Sequence, residues 1–137
     1  MAETTRRVTY AYAKLDDKAG EAARVLGALK QAGVNLLAFT GFTTGGGKAK
    51  LTLVPESADA LKAAAKKAGL SLSAPKDCFL VHGDDQPGAA FDVMGRLAEA
   101  RVNCTAANAT AAGNGRFGLV VFVKKADVAT AARALGI

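Results

Sequence analysis

Apolar and polar residues alternate between residues 7 and 14, with Val8, Tyr10 and Tyr12 set against Thr9, Ala11 and Ala13. Side chains two apart share one face of an extended chain, so this stretch predicts a β-strand. The period then lengthens. Ala22, Val25, Leu26 and Leu29 recur at three- and four-residue spacing, which puts them on one stripe of a helix. Asp17 is a good N-cap for that helix, and Gly33 is a natural stop. Two strands are expected next, over residues 35–44 and 48–54, with Gly45-Gly46-Gly47 as their turn. A second helix is expected over 57–69, and Leu70 to Ala74 form a short last strand before Pro75.

The same pattern then returns. Shifting the chain by 68 residues against itself brings Asp16-Asp17 onto Asp84-Asp85 and Gly20 onto Gly88 without a gap. Val25, Gly27 and Leu29 fall on Val93, Gly95 and Leu97; Val34-Asn35 fall on Val102-Asn103; Gly45 and Gly47 fall on Gly113 and Gly115. Alanine richness produces chance matches of Ala with Ala, but not Asp, Gly and Asn together at one offset. The second copy predicts a strand over 77–83, a helix opening near Asp85 and Pro87, and strands over 103–112 and 116–124. Its last helix is expected over 126–135. The order is β-α-β-β-α-β twice, an α+β fold of two ferredoxin-like units with antiparallel sheets and helices on one face. The units are expected at residues 1–73 and 75–137, and the second has almost no room for its last strand. A unit of about 70 residues is marginal alone, so the two should share a sheet edge or a helix interface.

Composition narrows the function. Half of the 137 residues are hydrophobic, yet aromatics are only 6% and Trp is absent, which favours close helix packing over a large aromatic pocket. No apolar run approaches the roughly 20 residues of a membrane span, and no signal core follows Arg6-Arg7, so a cytoplasmic protein is expected. Cys78 and Cys104 lack metal-type spacing and are expected as free, small hydrophobes. The net charge of +6 attracts anions, but the basic residues are dispersed along the chain. Catalysis has no organised machinery: no Ser-His-Asp order, no metal cluster and no phosphate loop. Gly45-Gly46-Gly47-Lys48 is glycine-rich, but it sits in a hairpin. The single histidine, His82, is matched by Lys14 in the first repeat and is read as an ordinary strand-end residue. Neither an enzyme nor a cofactor is expected.

The loops before the first helix of each repeat carry the most specific signal. Asp85-Gln86-Pro87-Gly88 is followed, after one helix, by Arg101-Val102-Asn103; Asp17-Lys18-Ala19-Gly20 is followed by Gly33-Val34-Asn35. This resembles the ACT domain, a regulatory amino-acid-binding module marked by a D/N-x-P-G loop and a later G-V-N. Ala19 stands where the loop usually has proline, and Arg101 where the later motif has glycine. The resemblance covers nearly the whole chain, as two copies. It implies a small regulatory protein that binds an amino acid or related metabolite between paired units, with the loop of one repeat facing the Asn of the other. The ligand-binding residues it implies are Asp17, Ala19, Gly20 and Asn35, and Asp85, Pro87, Gly88 and Asn103. Helix N-termini suit a carboxylate, the aspartates an ammonium, and the asparagines either. Each Asn is expected at the same end of its unit as the loop. The short second repeat leaves an edge that invites pairing, so a homodimer is expected.

Two rival readings differ in class. Gly115-Arg116-Phe117-Gly118-Leu119-Val120-Val121-Phe122 resembles the ribonucleoprotein motif of RNA-recognition domains, which share this element order. Leu119 occupies the place of a stacking aromatic, and Gly47-Lys48-Ala49-Lys50-Leu51 in the first repeat has none, so nucleic acid is not the expected partner. The other rival is a pure assembly module whose units only pair. Saturable binding of a free amino acid separates it from the first reading.

Overall fold

The fold is given by a computed structural model, which describes residues 3–137. The elements are β1 (Thr4–Asp16), α1 (Glu21–Gln31), β2 (Leu36–Gly45), β3 (Lys48–Pro55), α2 (Ala58–Ala68), β4 (Lys76–Asp84), α3 (Ala89–Glu99), β5 (Cys104–Gly113), β6 (Arg116–Val123) and α4 (Val128–Ala134). A short 3-10 turn, Lys125–Asp127, leads into α4. The chain divides into two compact units: Thr9–Lys76, and Asp77–Ile137 together with residues 3–8. We call them the N- and C-terminal units. Both are of the ferredoxin-like α+β type.

In the N-terminal unit the strands run β2–β3–β1, antiparallel throughout. The expected last strand is reduced to one bridge, Leu72 with Ala13. Ser73 N–H donates to the Tyr12 carbonyl at 2.9 Å, and Tyr12 N–H donates to Ser73 Oγ at 3.0 Å, so a side chain stands in for the strand. The core is made by Ala11, Ala13 and Leu15 of β1, Leu51 and Leu53 of β3, and the helix stripe of Val25 and Leu29 with Leu61 and Ala64. The inward face of β1 is thus its small-residue face, while Tyr10 and Tyr12 are half-buried on the other side. Small inward residues let α1 and α2 lie close to the sheet.

The C-terminal unit repeats this geometry. Its strands run β4–β6–β5, and the residues of β1 up to Val8 lie beside β4, on the edge that a last strand would cover. Arg7 donates to the Asp77 carboxylate at 2.7 Å in this unit. The register shifts in β2, between Leu36 and Ala38 and between Thr43 and Gly45, recur in β5 between Cys104 and Ala106 and between Ala111 and Gly113. The core gathers Phe79, Val81, Val93, Leu97, Phe117, Leu119 and Val121 with Val128 and Leu135. Gly83 is needed here. An added Cβ would lie 2.6 Å from Cε1 of the Phe117 ring.

The helix starts correct one expectation. α1 and α3 begin from Gly20 (φ 91°) and Gly88 (φ 81°), with no side-chain cap, and not from Asp17 and Asp85. A backbone turn in the left-handed region does the work, which glycine tolerates best. A true side-chain cap occurs at α2, where Ser57 Oγ accepts from Ala60 N–H at 3.2 Å.

Candidate ligand site

Each loop before a helix is tied down by the neighbouring hairpin turn. Asp17 N–H donates to the Gly47 carbonyl at 2.9 Å, and Asp85 N–H donates to the Gly115 carbonyl at 2.8 Å. The hairpin glycines that looked like turn residues therefore also hold the loop. Asp17, Ala19 and Gly20 are exposed, as are Asp85, Pro87 and Gly88. A Cβ on Gly20 or Gly88 would meet nothing within 4 Å, so the conformation and not crowding demands glycine. The first N–H of each helix is taken by a loop carbonyl, that of Glu21 by Lys18 at 3.3 Å and that of Ala89 by Gln86 at 3.1 Å; no side chain caps either start, and the partial positive charge of the helix end stays at the surface.

The asparagines lie elsewhere. Leu36 pairs with Pro55 at one end of the N-terminal unit, while Asp16 pairs with Lys48 at the other. α1 has 11 residues, so it carries the chain roughly 16 Å from the loop back to Asn35. The expectation that loop and Asn share one end of a unit is therefore wrong: strand, helix and strand run alternately up and down. Asn35 Nδ2 donates to Glu56 Oε2 at 3.1 Å, and Glu56 N–H donates to the Asn35 carbonyl at 2.9 Å. Asn103 is exposed, and Lys124 stands at the position equivalent to Glu56.

Both repeats close the end of their first strand with an ion pair, Lys48 to Asp16 at 2.7 Å and Arg116 to Asp84 at 2.8 Å. The Lys48 hydrogen bond holds the Asp16 carboxyl below its ordinary pKa. Arg24 and Glu21 pair within the first turn of α1. Burial, helped by Asp77, pushes the Cys78 thiol up to about 12, and burial also raises Cys104. Among the described residues no three His, Cys, Asp or Glu side chains gather as a metal site. Phe117 and Leu119, which stand where an RNA-recognition strand displays stacking residues, point into the core. His82 is exposed on β4, opposite Gly118. Sequence reasoning passed over one cluster, Tyr12 with Lys14 and Lys50; its signal was the alternation of lysines at 48 and 50 along β3, opposite Lys14 of β1.

A family model described as an ACT domain pair matches residues 8–136. The chain belongs to the ACT domain pair family. The ACT pair is also similar to solved structures across almost its full length. A protein of Bacteroides thetaiotaomicron superposes with a TM-score of 0.80 at 18% identity, covering 96% of this chain and 88% of that one. The ligand-free regulatory subunit of aspartate kinase from Thermus thermophilus gives 0.67 at 14% identity, covering 97% and 93%. The corresponding subunit from Thermus flavus gives 0.60 at 16%, covering 98% and 93%. At such identities the likeness establishes the shared fold. No curated protein matches the sequence. No helix among the described residues is long and apolar enough to cross a membrane.

Proposed function

We propose that this ACT pair is a regulatory module of the cytoplasm that binds a free amino acid or a closely related metabolite and performs no catalysis of its own. Its functional repeats are residues 1–73 and 75–137. The observation that carries the reading is the paired helix start: two uncapped N-termini, each led by a glycine in the left-handed region. Such an N-terminus suits a ligand carboxylate. Asp17 or Asp85 then accepts from the ligand ammonium, and the asparagines complete the polar contacts. Because loop and Asn lie at opposite ends of one unit, a ligand touching both must take its loop from one unit and its Asn from another. The proposed pairs are Asp17, Ala19 and Gly20 with Asn103, and Asp85, Pro87 and Gly88 with Asn35. Pro87 stiffens the second loop, so the pocket with Gly88 binds more tightly than the one with Ala19. The regulatory subunits of aspartate kinase that share the fold favour a regulatory role.

A homodimer is part of this reading. β5 is an edge strand whose residues after Cys104 are all exposed, and such an edge invites a second chain. The same edge favours the second reading, an assembly module without a ligand. A thermal-shift screen against the standard amino acids and nucleobases separates the two. A ligand at about 100 times its dissociation constant raises stability by roughly 2.7 kcal/mol. Absence of any shift across the screen leaves only the assembly reading.

A further inference from the structure

The N-terminal unit carries a basic, aromatic cluster that the C-terminal unit lacks. Lys14 of β1 and Lys50 of β3 are direct cross-strand partners on the face away from the helices. Partners so placed have Cβ atoms roughly 4.5–5.5 Å apart, and like charges there destabilise the sheet. Among the described residues neither lysine reaches a carboxylate. The nearby carboxylates are already engaged, Asp16 by Lys48 and Glu21 by Arg24. A third cation converges from the end of the unit. The Lys50 ammonium lies 3.9 Å from the centroid of the Tyr12 ring, and the Lys76 ammonium 5.4 Å from it. Shifted by 68 residues, the equivalents of Tyr12, Lys14 and Lys50 are Leu80, His82 and Gly118. The second repeat thus keeps the ion pair at its strand end and folds without the lysines. The Tyr12 ring partly offsets the charge of Lys50, but Lys14 gains no such contact, and the second repeat shows that the fold does not require the lysine pair.

This cluster opens on a groove of about 840 Å³ that runs from Tyr12 past Lys14 and Lys50 to the β2–β3 turn, and the ion pairs of Asp16 with Lys48 and of Glu21 with Arg24 also line it. The groove lies within the N-terminal unit and includes none of Asp17, Ala19, Gly20 or Asn35. Its volume exceeds that of a lone inorganic anion. We propose that the groove is a second binding site, for a phosphorylated small molecule whose phosphate lies between Lys14 and Lys50. Two ammonium groups on adjacent strands share the phosphate oxygens, which removes their mutual repulsion. The rest of the molecule extends along the groove toward Thr44 and Lys48. The site stands independently of the amino-acid pocket.

Calorimetric titration of the full chain with inorganic pyrophosphate at low salt tests this, with citrate as a polycarboxylate of similar charge. Pyrophosphate should bind saturably, and Lys14→Gln and Lys50→Gln should each weaken it about tenfold or more. Lys62→Gln, on α2, and Asn35→Ala should leave it unchanged, which keeps this test apart from that of the amino-acid pocket. Without pyrophosphate, Lys14→Gln should melt at or above the native temperature, because it removes a repulsion. The proposal is overturned if Lys14→Gln and Lys50→Gln bind as the native chain does, or if Lys62→Gln loses as much as they do. Citrate binding as tightly as pyrophosphate would refute phosphate as the ligand class. A single-stranded oligonucleotide that binds more tightly than pyrophosphate through the same lysines would assign the face to nucleic acid instead.

Discussion

Gly83 and Gly41 show how far a single residue's role can be judged from its type. Both are strand glycines, and the sequence offers no reason to separate them. In the structure a Cβ at Gly83 would collide with Phe117 at 2.6 Å, whereas one at Gly41 would sit 3.5 Å from Leu51 Cδ1, an ordinary contact. Gly83→Ala should therefore lose about 1–3 kcal/mol of stability in chemical denaturation, the usual cost of overpacking. Gly41→Ala should be close to neutral. Equal losses would contradict this account of the core. The cysteines give a second test. Cys78 is fully buried with its thiol raised to about 12, so at pH 8 it is almost wholly protonated and shielded. Alkylation followed by mass spectrometry should label Cys104 first and Cys78 only on unfolding. The two aspartates are the residues whose sequence reading needed most revision. Asp17 and Asp85 have the right type for helix caps, but the glycine three residues later turns the chain before the aspartate can reach the helix. Type and position alone do not reveal which of two residues makes that turn.

At the scale of elements, the repeat made nearly every strand and helix legible. Val25 and Val93, Leu29 and Leu97, and the hairpin glycines all occupy equivalent places, because the 68-residue offset preserves both the period and the turns. Two features escaped. One is the reach of β1, which begins at Thr4 although the alternation is clear only from Val8. Thr4, Thr5, Arg6 and Arg7 carry no apolar face of their own, and their partner β4 is some 70 residues away in the chain. The other is the reduction of the expected last strand of the first repeat to one bridge, with Ser73 Oγ taking over a backbone role. Since the start of β1 covers the edge of β4, a chain beginning at Thr9 should lose protection from hydrogen exchange in β4 and β6, while β3 keeps it. Equal protection in both units would show that this strand segment contributes nothing.

For the whole molecule, family membership and fold were readable because they rest on a pattern written twice. The site was less so. Its loops were found from Asp, Pro and Gly spacing, but the position of the asparagines was misjudged, since spacing along a chain does not say at which end of a sheet a residue emerges. An amino acid held, as proposed, by a helix N-terminus of one unit and an Asn of another makes binding depend on residues far apart in either unit. Titrating the amino acid with the largest thermal shift against the native chain, Asn35→Ala and Asn103→Ala tests it most directly. A lost hydrogen bond to a charged ligand group removes roughly 1.5–3 kcal/mol, or about ten- to a hundredfold in affinity. A loss of that size is expected for at least one variant, with the larger loss from Asn35→Ala, whose partner loop holds Pro87 and Gly88. Unchanged affinity in both variants, with the fold intact by circular dichroism, would contradict it.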